Sequence, residues 1–265
     1  MRTLFWNTHN NIDINPILVS IIKDKRINLV VLAEYQADVI DLLCRLQSIG
    51  IIMRKHVTTG CERIIVVSDM EDVKPGKQRP HYSLQTISDK YIICCVHFLS
   101  QIFTNNESKR RIVIQQLIKD IEDTESQNNI ESTIIVGDLN INPFEYACIA
   151  AEYINGMPYL EIASKSERSI EGIAYKTFYN PMWKFLGTKM PPFGTHYYDG
   201  DRTDNIYWHI FDQVLIRPCL LNSFEESSLE ILTQTTLCSL LNRKGHPDKR
   251  KVSDHLPIIF EVKEN

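Results

Sequence analysis

The chain has 265 residues, 43% of them hydrophobic and 23% charged, with a net charge of −4. That balance excludes disordered, collagen-like and disulfide-scaffold classes and describes a globular chain able to bury a large core. No apolar run approaches the ~20 residues needed to span a bilayer, and a mildly acidic chain does not coat nucleic acid by bulk electrostatics.

The opening Met1-Arg2-Thr3-Leu4-Phe5-Trp6-Asn7 lacks the basic, apolar and small-residue order of a secretory signal. Seven cysteines, an odd number without Cys-x-x-Cys spacing, read as small buried hydrophobes in a reducing compartment. Cytoplasm is the expected location.

Residues 2–7 form an apolar strand pattern. Over 14–25, Ile14, Ile17, Leu18, Ile21 and Ile22 make the stripe of an amphipathic helix. Residues 29–33 are continuously apolar, as in a strand buried on both faces. A helix is expected over 39–49, then strands at 51–55, 62–68, 82–87 and 91–98. In the last of these, Cys94 and Cys95 must face opposite ways. A helix over 107–122 carries Ile114, Leu117, Ile118 and Ile121 on one side, and 132–138 is a further buried strand. Asn142, Pro143 and Glu145 read as N-cap, first helical position and capping box of a helix over 143–154. Beyond it, Gly and Pro punctuate the chain to Gly200, and strands return at 207–217, 229–234 and 257–262. There is no internal repeat and no dividing linker. Strands outnumber crossover helices, so one domain of two mixed sheets packed face to face with helices outside fits best.

Polar residues fall where apolar strands end: Asn7, Glu34, His97, Asp138 with Asn140, and Asp254-His255. Asp138 and Asn140 are two apart, so in extended chain they share a face. A carboxylate at the edge of a buried strand costs desolvation free energy unless it is paired or metal-bound. Oxygen ligands without a Cys/His cage suit Mg²⁺ or Mn²⁺ rather than zinc. Taken singly, each of these residues is commonly a turn, a cap or a satisfied core group.

As an ordered set they are more specific. Trp6-Asn7, Leu32-Ala33-Glu34, His97-Phe98-Leu99-Ser100, Gly137-Asp138-Leu139-Asn140, Phe211-Asp212-Gln213-Val214 and Ser253-Asp254-His255-Leu256-Pro257 span nearly the whole chain. The set resembles the endonuclease/exonuclease/phosphatase superfamily of metal-dependent phosphohydrolases. The resemblance implies an α/β fold, a four-layer α/β sandwich of two packed mixed sheets flanked by helices, with the active site at one edge.

It also implies roles. Glu34 is the principal metal ligand, with Asn7 beside it and Asp254 contributing directly or through water. Asp138 orients or deprotonates the attacking water, Asn140 holds a phosphate oxygen, and His255 paired with Asp212 sits against the scissile phosphate. A carboxylate behind an imidazole fixes its tautomer and raises its basicity; Asp138 and His255 both stay open as the base. Glu62 and His97 resemble the second Glu–His pair of pancreatic-type deoxyribonucleases, in which the histidine protonates the leaving oxygen. His9 replaces an aspartate or arginine of other members and is either a phosphate contact or an exposed turn residue.

Two features bear on substrate. Arg243, Lys244, Lys249, Arg250 and Lys251 lead directly into Asp254-His255, where cations would meet a phosphodiester backbone. Lys109-Arg110-Arg111 sit near a helix N-terminus, a placement that an anionic partner would explain. Eleven of the 24 Phe, Tyr and Trp residues lie between Tyr175 and Phe211, among them Tyr197 and Trp208. They read either as core and lid or as stacking platforms for unpaired bases.

The expected function is a Mg²⁺- or Mn²⁺-dependent phosphodiesterase, a nuclease cleaving DNA or RNA by in-line attack of water. The alternatives are a phosphatase or phosphodiesterase for a small-molecule or lipid headgroup, and a non-catalytic binding module on the same fold.

Overall fold

The computed structural model describes residues 1–100, 107–201, 203 and 205–263. In chain order the first half runs β1 (Arg2–Asn7), α1 (Asn15–Lys25), β2 (Leu29–Ala33), α2 (Val39–Ser48), β3 (Arg54–Lys55), β4 (Ile64–Ser68), β5 (Val73–Arg79), β6 (Tyr82–Ile87), β7 (Tyr91–His97), α3 (Glu107–Asn128) and β8 (Thr133–Asp138). The second half adds α4 (Tyr146–Ile149), β9 (Gly156–Met157), α5 (Leu160–Ala163), β10 (Glu167–Ile170), β11 (Ile173–Lys176), β12 (Phe178–Tyr179), β13 (His196–Tyr197), β14 (Trp208–His209), β15 (Asp212–Ile216), β16 (Phe224–Ile231) and β17 (Ile258–Val262).

One sheet has the order β16-β17-β1-β2-β4-β3 and the other β5-β6-β7-β8-β15-β12-β9. Both are mixed: β1–β2 and β7–β8 are parallel, and their other neighbours in the centre run antiparallel. Period-2 alternation sorts the second sheet's side chains into two cores. Ile93, Cys95, Val136 and Val214 face the first sheet, where Phe5 and Val31 share the face of Asn7. Ile92, Cys94, Ile135 and Leu215 face Ile114, Leu117 and Ile121 of α3. Cys94 and Cys95 thus point apart. Each fully buried aliphatic of that α3 stripe contributes on the order of 2 kcal/mol. Leu18, Ile21, Ile22, Leu42 and Leu46 pin α1 and α2 to the first sheet, completing a four-layer α/β sandwich.

Several boundaries differ from the sequence reading. β5 was not expected, because Pro75, Gly76 and its Lys, Gln and Arg residues lack β propensity; it is an edge strand, where such residues are tolerated. The helix expected over 143–154 shrinks to the single turn Tyr146–Ile149. Asn142 is not its cap. The Asn142 Oδ1 instead accepts from the Ile210 amide (3.0 Å), while Glu145 Oε1 accepts from the Asn142 amide (2.8 Å), half of the expected box. The strand expected over 51–55 survives only as Arg54–Lys55.

Candidate active site

Strand register builds the site. In the second sheet, His97 of β7 pairs with Asp138 of β8, which pairs in turn with Asp212 of β15, so three functional side chains end adjacent strands in one row. Gly137 makes the close approach possible: a Cβ there would lie 2.0 Å from the Val96 carbonyl oxygen, and its φ is +155°. In the first sheet, Asn7 of β1 pairs with Ala33 of β2, and Glu34 follows in the left-handed region at φ 48°. The loop before β17 brings in Asp254 and His255. It is pinned by Trp6 Nε1 donating to the His255 carbonyl (2.9 Å) and Ser253 Oγ donating to the Asn7 carbonyl (2.7 Å).

Asp138 is the hub, buried to 1% exposure. Its Oδ2 accepts from Asn7 Nδ2 (3.0 Å) and lies 3.8 Å from His97 Nε2 and 3.9 Å from His255 Nε2. Its Oδ1 accepts from the Asn140 amide (2.9 Å). The far nitrogen of His255, Nδ1, is 2.8 Å from Asp212 Oδ2. Burial alone would push the His255 imidazole down, but the Asp212 and Asp138 carboxylates outweigh it and raise it to about 10. Burial raises the Asp212 carboxyl against the pull of that imidazole. His97 Nε2 is also 3.4 Å from Glu34 Oε1. That contact outweighs partial burial and holds the Glu34 carboxyl down at about 2.

Glu34, Asn7, His97, Asp138, Asp212 and His255 therefore meet as the sequence predicts. Asn140 is adjacent, its Nδ2 donating to the Phe98 carbonyl (3.0 Å). Asp254 stands beside them with His9 Nδ1 at 3.1 Å and His196 Nε2 at 3.9 Å. His9 thus faces a carboxylate.

Glu62 does not join the site. It is exposed and lines a separate depression with Lys55 and His56, while His97 turns Nε2 toward Glu34 and Asp138 and leaves Nδ1 without a hydrogen-bond partner. The expected Glu62–His97 pair is not formed, because the chain turns at 59–62 before β4 begins and the Glu62 side chain stays in solvent. Of the basic triplet, Arg110 is buried and donates to the Asn140 carbonyl (2.8 Å), and Arg111 pairs with Glu107. These two cations support the site and the helix rather than a ligand.

The site role of two residues was not read from the sequence. Arg110 fixes the backbone at Asn140. His196 lies between His255 (ring centroids 4.6 Å) and Phe211 (5.4 Å), and burial pushes its imidazole well below the ordinary value. The neighbouring Thr195 accepts the Leu256 amide on its carbonyl (2.7 Å), tying this loop to the one that carries His255. The only signal in the sequence was the aromatic Phe193-Gly194-Thr195-His196-Tyr197-Tyr198 run.

The donor set fits a hard divalent cation. Glu34 is partly open to solvent, Asp212 Oδ1 is buried without a hydrogen-bond partner, Asp254 Oδ1 faces the His9 imidazole at 3.1 Å, and among the described residues no cysteine joins the groupings of potential ligands. Among the described residues, the tight groupings of potential ligands are Asp138–Asp212–His255 and His196–Asp254–His255, neither of which includes Glu34. Glu34, Asn7 and Asp254 thus form no closed cage. Mg²⁺ does not require one, since it retains waters and binds through one or two carboxylates.

The fold has known counterparts. The chain is similar to the 3′-5′ exonuclease NExo from Neisseria meningitidis, with a TM-score of 0.61, 16% identity and all of both chains covered. It is also similar to an AP endonuclease from Archaeoglobus fulgidus (TM-score 0.58, 14% identity, all of both chains). A third counterpart is truncated Caenorhabditis elegans TDP2 (TM-score 0.57, 13% identity, 98% of this chain and 97% of that one). No protein-family model and no curated protein matches the sequence. The chain shares the fold of those counterparts. Among the described residues, no helix is long and apolar enough to cross a membrane.

Proposed function

We propose that residues 1–265 form one catalytic unit, a divalent-metal-dependent phosphodiesterase that hydrolyses nucleic acid. The observation carrying this reading is the convergence of Asn7, His97 and His255 on one buried oxygen of Asp138, with Asp212 behind His255. A buried carboxylate facing two imidazoles is positioned to manage protons around a phosphorus centre.

In this reading Asp138 takes the proton of the attacking water. His255 is held at Nδ1 by Asp212, so it donates from Nε2 to a phosphate oxygen as negative charge grows there. His97, with Nε2 between Glu34 and Asp138, delivers a proton to the leaving oxygen. The spare amide hydrogen of Asn140 holds a phosphate oxygen. A Mg²⁺ or Mn²⁺ ion on Glu34, with Asn7 and Asp254, would neutralise phosphate charge when bound. His9, Arg243, Lys249, Arg250, Lys251, Tyr197 and Trp208 would contact the substrate around this centre.

The counterparts support a nucleic-acid substrate, since they are an exonuclease and an AP endonuclease. A second Neisseria NExo structure (TM-score 0.62, 14% identity) is described as a 3′ phosphatase bound to a product DNA hairpin. That description favours a second reading on the same site, removal of a terminal phosphate from DNA.

The test is a time course with Mg²⁺, Mn²⁺ or EDTA on labelled single- and double-stranded DNA and RNA, on a 3′-phosphorylated oligonucleotide and on a small chromogenic diester. The nuclease reading expects metal-dependent shortening of a polymer. Loss of the 3′ phosphate without shortening selects the second reading. Turnover of the small diester alone contradicts both.

A further inference from the structure

Several cations of this molecule are paired, among them Lys25 with Glu230, Lys74 with Asp89, and Lys77 and Arg79 with Asp120. The loop over 242–251 is different. Arg243, Lys244, Lys249, Arg250 and Lys251 are all exposed, and none forms an ion pair among the described residues. They border a trough of about 680 Å³ that ends at Asp254, beside the catalytic cluster. Lys249 is close enough for its charge to help push the His196 imidazole down.

Two aromatic rings, Tyr197 and His246, line the same trough. Tyr197 stacks face to face on His246, with ring centroids 3.5 Å apart and planes 16° from parallel. Trp208 meets both rings edge-on, at 5.4 Å and 6.0 Å, and supports the pair from one side. Both stacked rings are half-buried, so part of each faces solvent. The loop is built to present them. Asn242 Oδ1 accepts from the Lys244 amide (2.8 Å) and the Asn242 amide donates to the His246 carbonyl (2.8 Å), closing a tight turn at Gly245. Asp248 accepts from the Val252 amide (2.8 Å), fixing the segment that leads to Asp254.

A row of free cations serves any phosphate backbone, paired or unpaired. The aromatic pair is selective. A base inside a duplex has both faces covered by its neighbours, whereas an unpaired base offers its face to a ring. We propose that this trough binds an unpaired segment of the nucleic-acid strand next to the scissile phosphate. Its phosphates lie along the five cations and one base rests on the Tyr197–His246 platform. The inference rests on reading the site as acting on nucleic acid, and adds the strand state and the platform.

The experiment is binding rather than cleavage, so the two readings fail separately. The full chain carrying Asp138→Asn is titrated with a labelled single-stranded 12-mer and with the same sequence as a blunt duplex, each at several salt concentrations. A 2-aminopurine base scanned along the single strand reports stacking by loss of its fluorescence. The single strand is expected to bind more tightly than the duplex, with one or two positions quenched. Tyr197→Ala and His246→Ala are each expected to weaken single-strand binding about five-fold or more and to restore the fluorescence. Tyr197→Phe keeps the ring and is expected to bind as the parent does, and the exposed pair Lys249→Glu/Arg250→Glu guards against misfolding of the aromatic variants. Equal affinity for the duplex, or parental affinity and quenching in both alanine variants, overturns the proposal. Tight, ring-dependent binding with no cleavage by the unsubstituted chain overturns the hydrolytic reading alone.

Discussion

Glu125 and Asp138 are both buried carboxylates facing cationic or protonatable groups, yet their surroundings differ in kind. Glu125 is completely used. Its Oε1 accepts from Thr133 Oγ1 and Arg217 Nε, both at 2.7 Å, and its Oε2 from Lys176 Nζ (3.1 Å) and an Arg217 terminal nitrogen (3.3 Å). The Arg217 guanidinium also lies 4.0 Å over the Phe178 ring. Around Asp138 the groups are left incomplete: His97 Nδ1, His196 Nδ1 and Asp212 Oδ1 all lack a hydrogen-bond partner. A buried polar atom without a partner costs about 1–3 kcal/mol, so a closed network stabilises and an open one retains capacity for a ligand. The first clamps α3 to the second sheet; the second is the proposed site.

The comparison can be broken at either end. The largest effect is expected at the open cluster: His255→Ala lowers hydrolysis by about 10²–10⁴-fold while the melting temperature stays close to the parent's. Steady-state assays beside calorimetry check this. At the closed cluster the order reverses. Glu125→Ala strands Arg217 in the interior and costs about 3–5 kcal/mol of stability, read by urea unfolding, while the folded fraction keeps its turnover number.

A third cluster sharpens the contrast by pH. Burial pushes the Asp120 carboxyl up, but hydrogen bonds from Arg79, Tyr82 and Lys77 outweigh it and hold it well below the ordinary carboxylate range. A depressed carboxyl stabilises the fold above its unfolded value of 3.8 and loses that contribution as pH falls below it. Asp120→Asn should therefore lower the unfolding midpoint at pH 7, with the gap to the parent narrowing in acid. The smallest effect concerns affinity alone. Replacing Lys249, Arg250 and Lys251 by alanine should reduce the slope of log affinity against log salt by up to about 3.

The sequence discloses the site unevenly. Asn7, Glu34, His97 and Asp138 were legible because each interrupts or ends an apolar strand where a polar group is costly. Asp254 and His255 were legible from their place before the last apolar strand, whereas Asp212 was legible only through the ordered motifs, since its pairing with Asp138 is a long-range register that local periodicity does not encode. His196 was hidden among aromatics whose placement depends on a bridge to His255. Arg110 was read as placed for an anionic partner because helix position says nothing about the strand end its guanidinium reaches. Glu62 misled for the opposite reason: its place before an apolar run suggested a strand start, but β4 begins at Ile64 and the side chain stays in solvent. The sandwich itself followed from apolar runs outnumbering helices, while β5 and the contraction of the 143–154 helix turned on tertiary contacts.

The most direct measurement sets Asp138→Asn beside Glu125→Gln, with hydrolysis of a labelled single-stranded oligonucleotide in Mg²⁺ and thermal melting recorded on the same samples. The account predicts that Asp138→Asn loses hydrolysis and keeps its melting temperature, while Glu125→Gln melts earlier and still hydrolyses below its transition. Hydrolysis at the parental rate by Asp138→Asn, or its loss in Glu125→Gln while that protein is folded, would contradict the account.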